Sequence, residues 1–457
     1  MERENASAIR CGFGRQDITP PLGSPLVGYY RPRRAKGVIS PLMIRAAMFE
    51  ANGKKALVIA MDLCLMTKDL SAEIRTLAAE RIGMDPDAIL INLSHTHTGP
   101  LTNKDFASDT QADPNYIAML KLRTVAAALE AESTLAPARL FYAKTTAEGI
   151  SFIRRYRMKD GSTKTNPRTL DPNIDHPLGE PNEDLRLLKI VREGAEDLYL
   201  VHFGTHADTV GGEYVCADYP GFVCSILESA IPQSRCMFLL GPQGDANHLN
   251  RLAENSGIVG KGKAEEDPAK MATHARYMGR VIAGRILTVC DRAEEIPASE
   301  IRFGSLEVAL PANRECSRLE EALKVQEAYL ASYDEKKGSS IQKLSGFNMS
   351  VPEARRIIRM KDAPDFYLYS VYALRIGDFV FAGLPGEPFT EIGRKIYSHS
   401  PFETMMLCAQ TNASCGYVGT EKAYDEGGYE TLTSSYKKGT DKVLTEGMLS
   451  LLEQLKQ

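Results

Sequence analysis

Short apolar runs alternate with amphipathic stretches from one end of the chain to the other. Six runs, at 56–61, 88–93, 198–203, 236–240, 379–384 and 404–409, are almost wholly apolar, and turn-forming or polar residues follow them. Continuous apolar runs of this length, bounded by Gly, Pro, Asn, Asp, Ser or Gln, predict strands buried on both faces. Helical spacing recurs at 69–82, 116–132, 268–290, 316–333, 352–360, 389–397 and 442–455. In the last of these Val443, Leu444, Met448, Leu451, Leu452 and Leu455 mark one buried face. The alternation predicts an α/β fold, a mixed β-sheet core flanked by helices. No sequence repeat and no domain-separating linker interrupts it. Two long polar segments, 155–184 and 250–266, read as surface loops or lids.

Polar and ionisable groups gather where the strand-like runs end. Run 88–93 leads into Ser94-His95-Thr96-His97-Thr98-Gly99-Pro100, and run 198–203 into Gly204-Thr205-His206-Ala207-Asp208. Run 236–240 leads into Gly241-Pro242-Gln243-Gly244-Asp245, run 379–384 into Pro385-Gly386-Glu387, and run 404–409 into Gln410-Thr411-Asn412 and then Gly416-Tyr417. Strand ends are where open α/β sheets bind ligands. Four histidines, His95, His97, His202 and His206, lie at or near two such ends. In an extended segment positions i and i+2 project to one side, so His95 and His97 are expected to face one site. Imidazoles beside carboxylates point to a metal, zinc first.

Composition narrows the field. With 55 Lys+Arg against 59 Asp+Glu and no basic run interleaved with aromatics, nucleic acid is not an expected partner. The most apolar window, 56–66, is interrupted by Asp62 and is too short to span a bilayer. The first residues, MERENASAIRCGFG, show neither an apolar h-region nor a small-residue cleavage site, so no export signal is expected. The nine cysteines are scattered, with no C-x-x-C, and read as small buried hydrophobes of a reducing compartment, hence a cytoplasmic protein. H-E-x-x-H, G-x-S-x-G, Walker A and G-x-G-x-x-G motifs are absent. The 257–263 stretch GIVGKGK lacks a preceding strand and reads as a solvated loop. Ser94 is no nucleophile for its neighbour His95, since adjacent residues of a strand point apart.

Asp17-Ile18-Thr19-Pro20, Gly28-Tyr29, the 94–100 motif, Phe203-Gly204-Thr205-His206, Gly244-Asp245, Leu384-Pro385-Gly386-Glu387, Gly416-Tyr417-Val418 and Tyr429-Glu430 occur in that order. In this set the chain resembles the catalytic domain of the neutral/alkaline, non-lysosomal ceramidases, zinc-dependent amidases that release a fatty acid from ceramide. The resemblance implies Zn2+ held by His95, His206, Glu387 and Tyr417. It further implies that His97 serves proton transfer, and that Tyr429 with Arg154 holds the substrate carbonyl, Arg155 being the adjacent alternative. Length alone would suggest about three domains, but motifs running from Asp17 to Tyr429 imply one catalytic domain over 1–457. The immunoglobulin-like domain that full-length ceramidases carry at the C-terminus is not expected. Two segments depart from the family pattern. A serine often follows the Gly-Asp turn, where this chain reads Ala246-Asn247-His248; His-Pro-Thr or His-Gly-Thr is common where it reads His206-Ala207-Asp208. The expected function is zinc-dependent cleavage of a ceramide-like or smaller N-acyl compound, with a lipid or other small molecule as the only partner implied. An ester or lactone hydrolase, or a non-catalytic binding protein on the same fold, stays open.

Overall fold

The computed structural model describes residues 9–30, 32–104, 110–254, 267–332 and 346–457. The six apolar runs are all strands, and their placement follows one rule. They form three parallel pairs: Lys54–Met61 with Ile89–Leu93, Asp197–Phe203 with Ser234–Leu240, and Phe379–Gly383 with Met405–Cys408. A parallel pair needs a crossover, and helices Lys68–Ile82, Asp218–Ala230 and Thr390–His399 supply the three. Two of these were expected from spacing; Asp218–Ala230 was not. Thr67 caps the first crossover helix through its hydroxyl, and Gly83 ends it in the left-handed conformation.

Two further strands precede each pair and run antiparallel. Arg10–Asp17 and Met43–Ala51 lead into the first pair, Ala136–Thr146 and Asp184–Arg192 into the second, Ile301–Pro311 and Phe366–Ile376 into the third. A helix closes each set: Pro114–Ser133, Thr273–Val289 and Thr440–Lys456. The chain thus makes the same strand-strand-strand-helix-strand-helix unit three times, although no sequence repeat announces it. The first two units fuse where Arg10 and Cys11 pair with Pro137 and Ala136, which gives a mixed sheet of nine strands among the described residues. The third unit forms a separate four-stranded sheet.

Helices pack on the outer faces, burying Ile74 and Leu120 in the first unit, Val223 and Ile282 in the second, and Ile392 and Met448 in the third. The inner faces meet in a shared core that includes Phe49, Val58, Leu90, Leu200, Met237, Phe381 and Met406. Asn92, fully buried, joins the ends of the three fourth strands. Its Nδ2 donates to the carbonyls of Ala409 (2.5 Å) and Leu240 (3.2 Å), and its Oδ1 accepts from the Leu240 N–H at 2.7 Å. Asn92→Ala should cost about 2–4 kcal/mol, because it removes these bonds inside a packed core and leaves a small cavity. Urea unfolding of the variant against the parent measures it.

The polar segment expected to be a loop over 155–184 is instead a small sheet of Arg155–Met158, Thr163–Thr165 and Ile174–Pro177. Its strands are short and bury only Tyr156, Met158 and Ile174 as an apolar cluster, so their sequence carries almost no apolar signal. Of the other polar segment, residues 255–266, including the 257–263 stretch, lie outside the described residues. Among the described residues no helix is long and apolar enough to cross a membrane.

Candidate metal and amide-binding site

The strand ends of the three units converge, and each contributes. Glu387 and His206 follow the third strands of their units, while His95 follows the fourth strand of the first. Oε2 of Glu387 lies 3.4 Å from His95 Nε2 and 3.1 Å from His206 Nε2, and all three residues are buried. The other ring nitrogens are already committed. His95 Nδ1 sits 2.7 Å from the Cys64 carbonyl oxygen and 3.1 Å from the Gln410 side-chain amide. His206 Nδ1 sits 2.9 Å from the Gln243 carbonyl and 3.0 Å from that of Ala246. Carbonyl partners place the proton on Nδ1 and leave the Nε2 lone pairs aimed at the carboxylate, the arrangement that orients imidazoles for a metal.

Glu387 Oε2 has no hydrogen-bond donor although it is buried. Burial by itself lowers the His95 pKa, yet the Glu387 carboxylate and the Cys64 side chain together outweigh it and carry the imidazole well above its ordinary value. Burial opposes ionisation of Glu387, and the two imidazoles overcome it and hold the carboxyl well below its usual range. Glu387 and the His95 Nε2 that faces it thus call for positive charge between them, while burial and the neighbouring Arg154 hold the His206 imidazole below its ordinary value. A divalent cation with N and O ligands meets that requirement. A second possible grouping, Cys64 with His95 and His97, is less suited, because His95 Nδ1, 3.8 Å from Cys64 Sγ, is held by the Cys64 carbonyl.

Tyr417 is brought in through the backbone. Glu387–Pro388 pairs in parallel with Tyr417–Val418, so Glu387 and Tyr417 stand opposite each other. The preceding Gly386 has φ +66°, and a side chain there would strike Cys415 and Gly416, which accounts for glycine in Leu384-Pro385-Gly386-Glu387. The Tyr417 ring centroid is 6.4 Å from that of His206, and burial with the nearby Glu387 carboxylate pushes the phenol pKa up against the opposing pull of Arg154. The Gly244-Asp245 turn holds this corner together. Gly244 N–H donates to Pro388 O (3.0 Å), Thr390 N–H to Asp245 Oδ1 (2.7 Å), and Arg154 N–H to Asp245 O (2.9 Å).

A cavity of about 880 Å³ opens over the site, and His95, His97, Arg154, Glu387, Tyr417 and Tyr429 all line it. Arg154 is 4% exposed. Its Nε donates to Glu430 at 2.7 Å, Nη1 lies 3.1 Å from His206 Nε2, and Nη2 is buried without an acceptor. Arg155 faces away. It pairs with Glu426 at 3.1 Å, donates to the carbonyls of Ala423 and Gly427, and does not line the cavity. Tyr429 begins the short helix Tyr429–Thr433 and meets Tyr30 at 3.4 Å between hydroxyls. His97 Nε2 is 3.4 Å from His95 Nε2, and burial with the facing His95 charge holds its imidazole well below its usual value.

No protein-family model matches the sequence, and no curated protein matches it either. Solved structures do match, among them the crystal structure of neutral ceramidase from Pseudomonas aeruginosa and a ceramidase complexed with C2. Each has a TM-score of 0.72 at 17% identity, over 98% of this chain and 75% of the solved one. This chain has the neutral ceramidase fold. At that identity the likeness is one of architecture, and the ceramidase fold explains why motifs scattered over the whole sequence end at one cavity.

Within the ceramidase fold two readings from the sequence change. His95 is not extended; it has φ +62°, so it and His97 share the site through a left-handed turn and not through strand alternation. His202, grouped with the site histidines, is a buried structural residue whose Nε2 meets the Leu407 carbonyl at 2.8 Å, and burial lowers its pKa to about 3. Tyr30, Gln410 and the cavity carboxylate Asp208 carry no role in the sequence reading, although Gln410 and Asp208 stand among the polar residues that follow strand ends and Asp208 also marks a departure from the family pattern.

Proposed function

We propose that the chain is a zinc-dependent hydrolase cleaving the amide bond of a ceramide-like or smaller N-acyl substrate, with 1–457 acting as one catalytic domain. The observation that carries this reading is the buried, donorless Glu387 Oε2 set between two Nε2 atoms whose rings are oriented by backbone carbonyls. His95, His206 and Glu387 would hold the ion, with Tyr417 as a fourth ligand. When bound, zinc supplies Lewis acidity and brings the pKa of water from ~15.7 towards ~7.

The chain's own residues supply the rest. Arg154, with a buried Nη2 lacking an acceptor, and the Tyr429 hydroxyl bind the substrate carbonyl oxygen and stabilise charge as it develops there. Arg154 is fixed for this by Glu430, so little reorganisation is required during reaction. His97 lines the cavity with its imidazole held well below its usual pKa, so it takes up a proton from the attacking water and passes it to the departing nitrogen, without which an amide does not release its amine. Seven of the nine cysteines are buried and all nine are free, which supports a cytoplasmic setting.

Dialysis against a chelator should abolish amide hydrolysis, and one equivalent of Zn2+ should restore it. Metal analysis alongside assays on N-acyl sphingoid bases, N-acyl amines and matched esters checks this. Activity that survives complete metal removal sinks the reading, while hydrolysis of esters alone replaces the amide with an ester substrate.

A further inference from the structure

Asp208 and Glu387 are the carboxylates that line the cavity among the described residues, and the chemistry above uses only Glu387. Asp208 is firmly placed. The residue before it, Ala207, accepts the His97 N–H at 3.1 Å, and the N–H groups of Thr209 and Val210 after it donate to Asp218 at 2.9 and 3.0 Å. Its Oδ1 accepts from His248 Nδ1 at 3.2 Å, and His248 is buried against His274, with ring centroids 5.0 Å apart. The carboxylate is therefore a preoriented acceptor, its side chain 18% exposed. The backbone bond to Ala207 puts it on the His97 side of the cavity. Arg154, Tyr417 and Tyr429 cluster together, with the guanidinium 5.2 Å from the Tyr417 ring and the two tyrosine rings 5.7 Å apart.

We propose that Asp208 binds the amine half of the substrate, accepting N–H or O–H donors carried there and pairing with the ammonium product. The inference rests on the amidase reading and deepens it. In the reaction the water oxygen joins the acyl carbon, the C–N bond breaks, and a water proton reaches the nitrogen by way of His97. The free amine then takes the proton of the new carboxylic acid, and ammonium and carboxylate leave. The cation is formed on the His97 side, beside Asp208. A site built this way favours amides of amino alcohols and diamines and disfavours N-acyl amino acids, whose carboxylate would face Asp208.

Four amides of one acyl chain test it: those of ethanolamine, ethylenediamine, propylamine and glycine. In the parent, kcat/KM for the first two should exceed that for propylamide by about 10-fold or more, with the glycine conjugate lowest. Asp208→Asn should lower the aminoethylamide at least about 10-fold more than the propylamide and raise the glycine conjugate, at unchanged zinc content. Inhibition of the parent by free propylammonium, a monoamine that cannot chelate the metal, should be weaker in the variant and reads the same contact without turnover. If the variant does not fold, the parent's substrate order and amine inhibition decide alone. Equal loss on all four amides, or a parent that prefers the glycine conjugate, overturns the assignment of Asp208 and leaves the amidase reading standing. A parent that turns over no amide overturns both.

Discussion

His95→Ala is expected to lower kcat/KM for amide hydrolysis by about 10³-fold or more, equivalent to roughly 4 kcal/mol of transition-state stabilisation. The purified variant should also hold well below one zinc per chain. His95 contributes one of the two Nε2 atoms that face Glu387, at 3.4 Å, and alanine leaves His206 and the carboxylate with an incomplete ligand set. The fold should tolerate the change. His95 sits at a turn in the left-handed region, and its ring touches the Cys64 carbonyl and Gln410 rather than the shared core. The thermal midpoint without added metal should therefore move little, while the stabilisation that zinc gives the parent should vanish from the variant. Elemental analysis after dialysis, paired with melting curves at several zinc concentrations, reads both. Stoichiometric zinc together with full amidase activity in His95→Ala would remove the metal centre from the mechanism.

The strands legible in the sequence were the parallel ones, for a physical reason. Lys54–Met61, Ile89–Leu93 and their counterparts in the other two units lie between helices and the shared core, so both faces are apolar. Ile301–Pro311, by contrast, is half-buried along most of its length, and its polar positions interrupt any apolar run. The threefold use of one unit was invisible because it lies in the order and direction of strands, which sequence identity does not preserve. The site was legible as a set of strand-end motifs, since glycines such as Gly386 and turns such as Gly244-Asp245 are demanded by backbone contacts. The choice between Arg154 and Arg155 was not. Adjacent residues share every local signal, and only the tertiary pairing of Arg155 with Glu426 turns that side chain from the cavity.

Arg154→Ala should lose activity and stability together, whereas Tyr429→Phe should lose activity alone. Each residue points a donor into the cavity, and removing one such donor typically costs about 10²–10³ in kcat. Arg154 also neutralises Glu430, a side chain with no exposure that it meets at 2.7 Å. Alanine there strands a buried carboxylate, a change that usually costs about 3–5 kcal/mol. The lower end is expected, because Thr165 donates to Glu430 Oε2 at 2.7 Å and Arg155 Nε remains 3.7 Å away. Arg154→Lys should restore part of the charge and little of the rate. The three donors of an ammonium leave a single nitrogen, so they do not span Glu430 and the carbonyl as the separate Nε and Nη2 of the planar arginine fork do. Tyr429→Phe gives up only the 3.4 Å contact with Tyr30, so its unfolding free energy should fall by about 1 kcal/mol or less. Chemical denaturation and single-turnover rates on the same three variants separate the two effects. An Arg154→Ala protein that keeps its rate while losing stability would reduce the guanidinium to a prop for Glu430 and leave Tyr429 to hold the carbonyl.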